Sequence, residues 1–164
     1  MPPKQIRPKS LADYLDALSK ITFATGLSNR VVEAKWDDIQ RAFHGFDPER
    51  VARMTPRAVD KLLDDARVIR SRRKIEATIA NAETMVELDE EYGGFRRYLR
   101  AHDGFEATVK DLRTRFKFLG DYGAYRFLYI VGEEVPSWHE WVASREAQPG
   151  APSGRRRAQP RKSA

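Results

Sequence analysis

Five cationic side chains fall within eight consecutive positions of the chain. They are Arg67, Arg70, Arg72, Arg73 and Lys74. Apolar residues recur at helical spacing on both sides of this run, so the run lies on a short connection between two helices. The first turn of a helix points its backbone N–H groups outward, and a basic turn just before it suits a phosphate. The pattern favours a nucleic-acid contact, although a solvated, charged helix start gives the same pattern.

A second stretch with possible chemistry is ITFATGLSN, which ends at Asn29. Gly26 can adopt backbone angles that are closed to other residues, which predicts a tight turn. Leu27 would then be carried at the tip of that turn, and Ser28 can cap the helix that follows. The turn therefore predicts an exposed aliphatic side chain between two helices.

A third stretch, RFKFLGDYGAYRFLYIVG, places Lys117 between aromatic residues just before Gly120. The helix predicted after Gly120 is rich in rings, among them Tyr125. Such rings belong to a core more often than to a platform on which bases stack.

The elements that must position these stretches are all helical, because no segment shows the alternating pattern of a strand. Helices are predicted from Ser10 to Gly26, Asn29 to His44, after Asp47-Pro48, after Thr55-Pro56, from Ser71 to Tyr92, Phe95 to Leu99, Phe105 to Leu119, after Gly120 and after Pro136. The fold class is therefore predicted to be all-α. We expect an extended arm over residues 1–9, one helical domain over 10–146 and a disordered basic tail over 147–164.

Charge is distributed unevenly along the chain. The formal net charge is +6, of which +5 lies in residues 148–164, so residues 1–147 carry only +1. A nearly neutral body cannot attract polyanions by its bulk charge, so nucleic-acid binding requires a local basic patch. The basic tail would add affinity without specificity.

Several kinds of chemistry are excluded by composition and motifs. The chain has no cysteine, which rules out disulfides, thiolate zinc sites and thiol nucleophiles. We predict no metal, because His44, His102 and His139 are far apart in sequence. Phosphate-loop, dinucleotide and serine-elbow motifs are missing, so we predict no cofactor. No secretion signal or membrane span is evident, and we expect a cytoplasmic, nucleoid-associated protein that does not contact membranes.

Three segments together resemble the type I DNA-3-methyladenine glycosylases. They are FATGLSNRVVEAKWDDIQRAFHGFDPERVARM, DDARVIRSRRKIEATIANA and LRTRFKFLGDYGAYRFLYIVG, in the family's order and spacing. The resemblance implies a fold of the helix-hairpin-helix DNA glycosylase type. It also implies a base excision repair enzyme that hydrolyses the N-glycosidic bond of alkylated, cationic bases as a monofunctional glycosylase. The implied partner is double-stranded DNA with an alkylated base, bound by a monomer.

A glycosylase draws a base out of the duplex, so it needs an anchor on phosphate and an apolar group to fill the gap. The resemblance assigns the filling group to Gly26 and Leu27. It assigns the anchor to the basic run from Arg67 to Lys74, called here the basic hairpin. The DNA-binding residues predicted within it are Arg70, Arg72, Arg73 and Lys74. A cationic base is already a good leaving group, so its removal can rest on recognition by rings and a carboxylate, with water as the nucleophile.

The chain departs from the family's pattern at the base pocket. Ile21 stands where the family has the glutamate that recognises the base, and Asn29 stands where it has the stacking ring. The family's zinc staple is missing, and Arg67 replaces a glycine of the hairpin. The candidates to replace the pocket groups are Tyr14, Asp13, Asp16, Asn29 and Tyr125.

These departures leave two alternatives to an active glycosylase. One is a relative with altered or lost catalysis that still binds lesions or distorted DNA through Leu27 and the basic hairpin. The other is a helical interaction protein in which the basic turn is only a solvated surface. Salt dependence separates the last reading from the others, because a complex anchored on phosphates weakens steeply as salt rises.

Overall fold

The computed structural model describes residues 2–147, and every regular element in that range is helical. In chain order these are α1 Leu11–Ala24, α2 Asn29–Ala42, a 3₁₀ turn His44–Phe46, α3 Pro48–Ala52, α4 Pro56–Leu63, α5 Arg72–Tyr92, α6 Phe95–Leu99, α7 Phe105–Arg115, α8 Asp121–Ile130 and α9 Trp138–Ala147. The prediction of an all-α fold is confirmed. Within the described range, no helix has the length and apolar character needed to cross a membrane.

Capping side chains set where several helices begin. Ser28 Oγ accepts a hydrogen bond from the Val31 amide at 3.2 Å, which starts α2 as predicted. The side chains of Asp47 and Thr55 cap α3 and α4 in the same way, each followed by a proline at the first helical position. The C-terminal end of α5 is set by Gly93, whose φ of 72° takes the chain out of the helix.

Two predicted helices were too long. The helix expected to reach Leu119 ends at Arg115, because Phe116 is extended and Phe118 has a φ of 60°. The helix expected to reach His44 ends at Ala42 and is followed by a left-handed turn. Side-chain periodicity alone does not register these reversals of the backbone.

The turn after α2 is left-handed at three consecutive residues, with φ values of 57° at His44, 67° at Gly45 and 58° at Phe46. The left-handed region costs roughly 1–2 kcal/mol for each residue with a Cβ. Phe46 is completely buried, with its ring centroid 5.3 Å from that of Trp36 and 5.4 Å from that of Phe43. Burying an aromatic side chain contributes about 1.5–3 kcal/mol, so packing holds this turn in place.

The longest helix, α5, forms the centre of the fold. It packs against α1, α3, α4 and α6, and its buried side chains include Ile75, Met85 and Leu88. Helix α1 in turn packs against α2 and α8. This arrangement places the start of α5, which carries the basic residues, beside α1 and the turn that ends it.

The chain divides into two compact units between Glu134 and Val135. The first unit contains α1 to α8 and every candidate site residue discussed below. The second unit contains α9, in which the rings of Trp138 and Trp141 lie 5.9 Å apart. The predicted basic tail, apart from Ala147, lies outside the described residues.

Candidate functional site

The turn between α1 and α2 presents an apolar side chain to solvent. Gly26 adopts a φ of 79°, and the Leu27 amide donates a 2.9 Å hydrogen bond back to the Ala24 carbonyl. Leu27 is 42% exposed and is one of four large apolar side chains exposed among the described residues. The turn therefore has the shape and the exposed aliphatic tip that the sequence predicted.

The basic hairpin is tied to this turn by Lys74. The Lys74 ammonium donates to the Phe23 carbonyl at 2.9 Å and also to the Thr25 carbonyl, at the end of α1. Only 9% of Lys74 is exposed, and burial lowers the pKa of its ammonium. Lys74 was predicted to bind DNA directly, but the structure places its charge against protein carbonyls. Its position is that of a brace between the turn and the hairpin.

The hairpin loop, residues 64–71, is also fixed from the other side. Lys35 of α2 donates to the Ala66 carbonyl at 3.1 Å, and Val68 is buried in the middle of the loop. No residue of this loop has a positive φ. The loop is thus built without the left-handed residue that a glycine would supply, and Arg67 fits it without strain.

Three of the five clustered cations have partners within the protein. Arg67 forms two side-chain hydrogen bonds with Asp65, at 3.0 Å and 2.9 Å, which lower the pKa of that carboxyl to about 2. Arg72 bonds Asp60 at 2.6 Å and Glu76 at 3.3 Å, and both contacts raise the pKa of its guanidinium. The third is Lys74. These pairings reduce the charge that the cluster offers to a ligand.

Arg70 and Arg73 differ from their neighbours. Both are exposed, and neither forms an ion pair with any residue in the range 2–147. The Arg73 guanidinium lies 5.4 Å from the centroid of the Phe118 ring. Arg70 and Arg73 are therefore the two cations of the hairpin whose charge is available to a phosphate.

A cleft of about 350 Å³ opens between α1 and α2. Ile21 and Asn29, the two positions at which the sequence departs from the family's pocket, both line it. So does Asp16, one and a half turns before Ile21 on α1. The structure thus brings two of the five candidate replacement groups, Asp16 and Asn29, into one cleft.

Asp16 is held in position by two neutral donors. Its carboxylate accepts a hydrogen bond from the Trp36 indole N–H at 3.2 Å and another from the Gln40 side-chain amide at 2.5 Å. Neither donor carries a charge, so the negative charge of Asp16 is oriented without being neutralised. A carboxylate in this state can pair with a cationic ligand.

Besides Lys4 of the N-terminal arm, three other charged residues line the cleft, and none of them was predicted from the sequence. Lys20 and Glu33 form a salt bridge at 3.0 Å, and Lys20 also lies 5.4 Å from the Trp36 ring centroid. The third is Arg126 of α8. Lys20 follows Asp16 by four residues, so helical spacing alone could have indicated that both share one face of α1.

The other candidate groups lie elsewhere. Tyr14 is buried, with its ring 5.1 Å from that of Phe95, and its hydroxyl accepts from Arg96 at 3.4 Å. Tyr125 is 7% exposed and packs edge-to-face on Phe105 at 5.7 Å. Burial raises the pKa of the Tyr125 hydroxyl. Neither tyrosine lines the cleft.

Asp13, the remaining candidate, stabilises the start of α1. Its carboxylate accepts a hydrogen bond from the Lys9 amide at 2.8 Å, and its own amide donates to the Ser10 carbonyl at 3.1 Å. Ser10 was predicted to cap this helix, but its side chain makes no capping bond. Asp13 therefore acts in local helix formation and not in the cleft.

The N-terminal arm forms part of the wall of the cleft. Pro3, Lys4 and Ile6 line it, and the Ile6 amide donates to the Ile130 carbonyl at 2.8 Å. The Gln5 side chain also donates to the Tyr129 carbonyl at 3.0 Å. The arm was predicted to be extended, and two hydrogen bonds to the end of α8 fix its course.

Among residues 2–147, no three His, Asp or Glu side chains converge as a metal site would require.

Comparison with known protein sequences gives one consistent result. Residues 12–117 match the methyladenine glycosylase family. The DNA-3-methyladenine glycosylase of Haemophilus influenzae is 28% identical to this chain over 128 residues, which cover 65% of this chain and 69% of that protein. DNA-3-methyladenine glycosylase 1 of Escherichia coli is 30% identical over 128 residues, covering 65% of this chain and 68% of that protein.

Solved structures give the same result for the fold. The 3-methyladenine DNA glycosylase I of Staphylococcus aureus superposes with a TM-score of 0.69 at 25% sequence identity. The superposition covers 79% of this chain and 80% of that one. A solution structure of a 3-methyladenine DNA glycosylase I gives a TM-score of 0.65 at 26% identity. The match extends well beyond the segments that carried the sequence resemblance.

Proposed function

The chain belongs to the methyladenine glycosylase family, and from this membership we propose that it hydrolyses the N-glycosidic bond of alkylated, cationic bases in DNA. This is the activity of a monofunctional DNA glycosylase in base excision repair. Within this family, the departures at Ile21 and Asn29 require a base pocket with different groups. We propose that the cleft between α1 and α2 is that pocket and that Asp16 is its base-recognising carboxylate.

The observation that carries this proposal is the position of Asp16 in the cleft that also contains Ile21 and Asn29. A base carrying a methyl group on a ring nitrogen is positively charged. A carboxylate oriented by Trp36 and Gln40 stabilises that charge better than the neutral Ile21 side chain can. The discrimination between a cationic and a neutral base would then come from Asp16.

The turn that precedes α2 supports the proposal that a base extruded from DNA enters the cleft. Extruding a base leaves a gap in the duplex, and the exposed Leu27 side chain is placed to fill it. Lys74 holds the turn next to the basic hairpin, from which Arg70 and Arg73 extend. One edge of the protein therefore carries an apolar tip and two available cations, which suits a duplex that is bent at a flipped base.

The proposed reaction needs few protein groups. The cationic base takes the electron pair of its bond to C1′ of the deoxyribose and leaves as a neutral molecule. Water supplies a hydroxyl group to C1′ and releases a proton. Because the leaving group is already activated by its charge, recognition and positioning supply the selectivity.

A second candidate function is favoured by the same cleft. The uncharged Ile21 and Asn29 side chains can neither pair with a cationic base nor stack on it as an aromatic ring does, which favours a lesion-binding relative with altered or lost catalysis. Losing a buried acceptor for a cationic base costs on the order of 1–3 kcal/mol of recognition. The two functions differ in whether free base is released, and binding alone does not separate them.

The test of Asp16 is Asp16→Asn in the full chain, with release of free 3-methyladenine from methylated duplex DNA as the measurement. The asparagine side chain keeps the size of the carboxylate, and Gln40 can present either end of its amide to it. Glu33→Gln is the matched control, because Glu33 also lines the cleft but is paired with Lys20.

We expect Asp16→Asn to lower the single-turnover rate of release by at least about tenfold, which corresponds to roughly 1.4 kcal/mol. Glu33→Gln should retain most of the rate, and both variants should bind undamaged duplex as the parent does. Equal rates for Asp16→Asn and the parent would exclude Asp16 as the recognising group. No release by the parent at stoichiometric protein would favour the lesion-binding function.

We further propose that the protein acts on double-stranded DNA as a monomer in the cytoplasm, in association with the nucleoid. The support is that the turn, the hairpin and the cleft all belong to one unit of one chain. Sedimentation of the protein alone and with one equivalent of duplex tests the monomeric state. A dimer in both measurements would contradict it.

A further inference from the structure

A second cleft, of about 490 Å³, lies beside the basic hairpin and is not part of the base pocket. It is lined by Arg73, Glu76, Ala77, Lys117 and Phe118. The first three residues come from the beginning of α5, and the last two come from the connection between α7 and α8. Residues far apart in sequence thus bring two cations to one concave surface.

The charges in this cleft are not balanced by their neighbours. The single carboxylate in the lining, Glu76, is bonded to Arg72 at 3.3 Å. Arg73 and Lys117 are exposed and form no ion pair with a carboxylate among the described residues 2–147. Two free cations beside one internally paired acid favour a small anionic group.

The backbone that carries Lys117 and Phe118 is held in an uncommon conformation. Phe118 has a φ of 60°, which residues with a Cβ rarely adopt. Asn81 of α5 is 98% buried and fixes this segment through two hydrogen bonds with the Lys117 backbone. The Asn81 amide donates to the Lys117 carbonyl at 3.2 Å, and its oxygen accepts from the Lys117 amide at 2.8 Å. A residue held in this conformation by a buried side chain supports the hypothesis of a functional site.

The clamp also places the Phe118 ring against Arg73. The guanidinium carbon lies 5.4 Å from the ring centroid, within the range of a cation–π contact. This contact restricts the long arginine side chain while leaving its N–H groups free. Among the described residues Lys117 has no cation–π contact, and its ammonium is a compact charge on a flexible four-carbon stem.

From this geometry we propose that Arg73, Lys117 and Phe118 form a second phosphate-binding site, which holds a backbone phosphate of the DNA strand that the hairpin anchors. The inference rests on the proposed function, because it assumes that duplex DNA is the ligand. It extends that function by assigning DNA contacts to the connection between α7 and α8. Arg73 would then contact phosphate from the hairpin side and Lys117 from the opposite side of the cleft.

The experiment measures the affinity of a fluorescein-labelled duplex by anisotropy at several salt concentrations. Variants Arg73→Ala and Lys117→Ala remove one cation each, and Lys110→Ala removes an exposed lysine of α7 that does not line the cleft. Phe118→Ala removes the ring that restrains Arg73, and Phe118→Tyr keeps it. Thermal unfolding of each variant reports whether the fold is retained.

Each phosphate contact contributes about 0.9 to the slope of log K against log salt on duplex DNA. We expect Arg73→Ala and Lys117→Ala each to weaken binding several-fold and to reduce this slope, and the double variant to reduce it by no more than about one contact. Phe118→Ala should weaken binding in the same direction, while Phe118→Tyr should match the parent. Single-turnover release of base by the Lys110→Ala control should equal that of the parent.

The outcomes separate this inference from the proposed function. If the parent binds duplex with a steep salt dependence and Lys117→Ala behaves like Lys110→Ala, the second phosphate site is excluded and the glycosylase function is untouched. If the parent shows no salt-dependent binding of duplex, both fail together. Additive slope losses in the double variant would contradict a single shared phosphate.

Discussion

The ammonium of Lys74 and the carbonyl oxygen of Phe23 are joined by a 2.9 Å hydrogen bond that spans 51 residues of sequence. A second bond runs from the same ammonium to the Thr25 carbonyl. One end of this pair begins the helix after the basic hairpin, and the other precedes the turn that carries Leu27. Lys74 therefore links the start of α5, next to the basic hairpin, to the turn that carries Leu27.

The first prediction concerns this brace. Lys74→Met keeps the apolar stem and removes the donor, which leaves two carbonyls at the end of α1 without their partner. We expect a loss of roughly 1–3 kcal/mol in the free energy of unfolding, as for other hydrogen bonds from charged groups. Urea unfolding measures this loss, and Lys61→Met, at an exposed lysine of α4, is the control. Equal stability of the two variants would show that the brace contributes nothing.

The contrast between Lys74 and its neighbours shows what the sequence could and could not predict. The hairpin, its position between two helices and its five cations follow from residue types and spacing alone. Which of those cations face solvent depends on Asp60, Asp65 and Glu76 and on the C-terminal end of α1, whose approach is a tertiary effect. The i,i+4 spacing of Arg72 and Glu76 indicates that one pair, but periodicity carries no information about Asp60 or the end of α1.

The second prediction uses this division of the cations. Arg70 has no ion-pair partner in the described part of the chain, whereas Arg67 is held by Asp65. We expect Arg70→Ala to weaken duplex binding several-fold and to reduce the salt slope by about one contact, irrespective of base sequence. Arg67→Ala, an equal loss of charge three residues away, should change both much less. Identical losses would mean that Asp65 releases Arg67 when DNA binds.

The third prediction concerns Leu27. Its exposed side chain contributes little to the core, so Leu27→Ala should leave the unfolding free energy within about 0.5 kcal/mol of the parent. Release of base should fall by at least about tenfold, because the gap left by the flipped base is no longer filled. Val31→Ala is the matched control, since Val31 is also 42% exposed but lies on α2 beyond the turn. Unchanged release of base by Leu27→Ala would exclude Leu27 as the side chain that fills the gap in the duplex.

The cleft between α1 and α2 shows a different limit of prediction from sequence. The sequence offers five candidate replacement groups, and the cleft contains two of them. Asp13 and Asp16 are both acids in the first half of α1. Asp13 stabilises the start of the helix, whereas Asp16 lines the cleft. Residues three apart are neighbours on a helix surface, so spacing alone does not distinguish Asp13 from Asp16. The cleft itself exists only because the arm and α8 complete its wall.

The fourth prediction concerns acid stability. Asp111 accepts hydrogen bonds from the Tyr98 hydroxyl at 2.6 Å and from Arg115 at 2.8 Å. Burial opposes ionisation of Asp111, but these bonds outweigh it and hold the pKa of its carboxyl below the ordinary 3.8. A lowered carboxyl pKa stabilises the fold above the unfolded value, and this contribution is lost as the pH falls through the folded value.

We therefore expect Asp111→Asn to be less stable than the parent at neutral pH, by roughly 1–3 kcal/mol. The difference should shrink as the pH falls below 3.8, because the parent then loses the charge that the variant never had. Thermal unfolding across the acid range measures both curves. A difference that is constant with pH would show that the carboxylate charge plays no part.

The fifth prediction restores the family's pocket groups in the cleft, through Ile21→Glu combined with Asn29→Trp. Both positions line the same cleft, so the new carboxylate and the new ring would face the same bound base. A charged hydrogen bond of about 1.5–3 kcal/mol corresponds to at least a tenfold increase in the rate of base release. Binding to undamaged duplex should change little, because Arg70, Arg73 and Leu27 are untouched.

Ile21→Gln with Asn29→Trp is the control that keeps size and ring but lacks the charge. If the charged variant gains nothing over this control, recognition of the cationic base already rests on Asp16, and if neither variant alters release, the base binds outside this cleft.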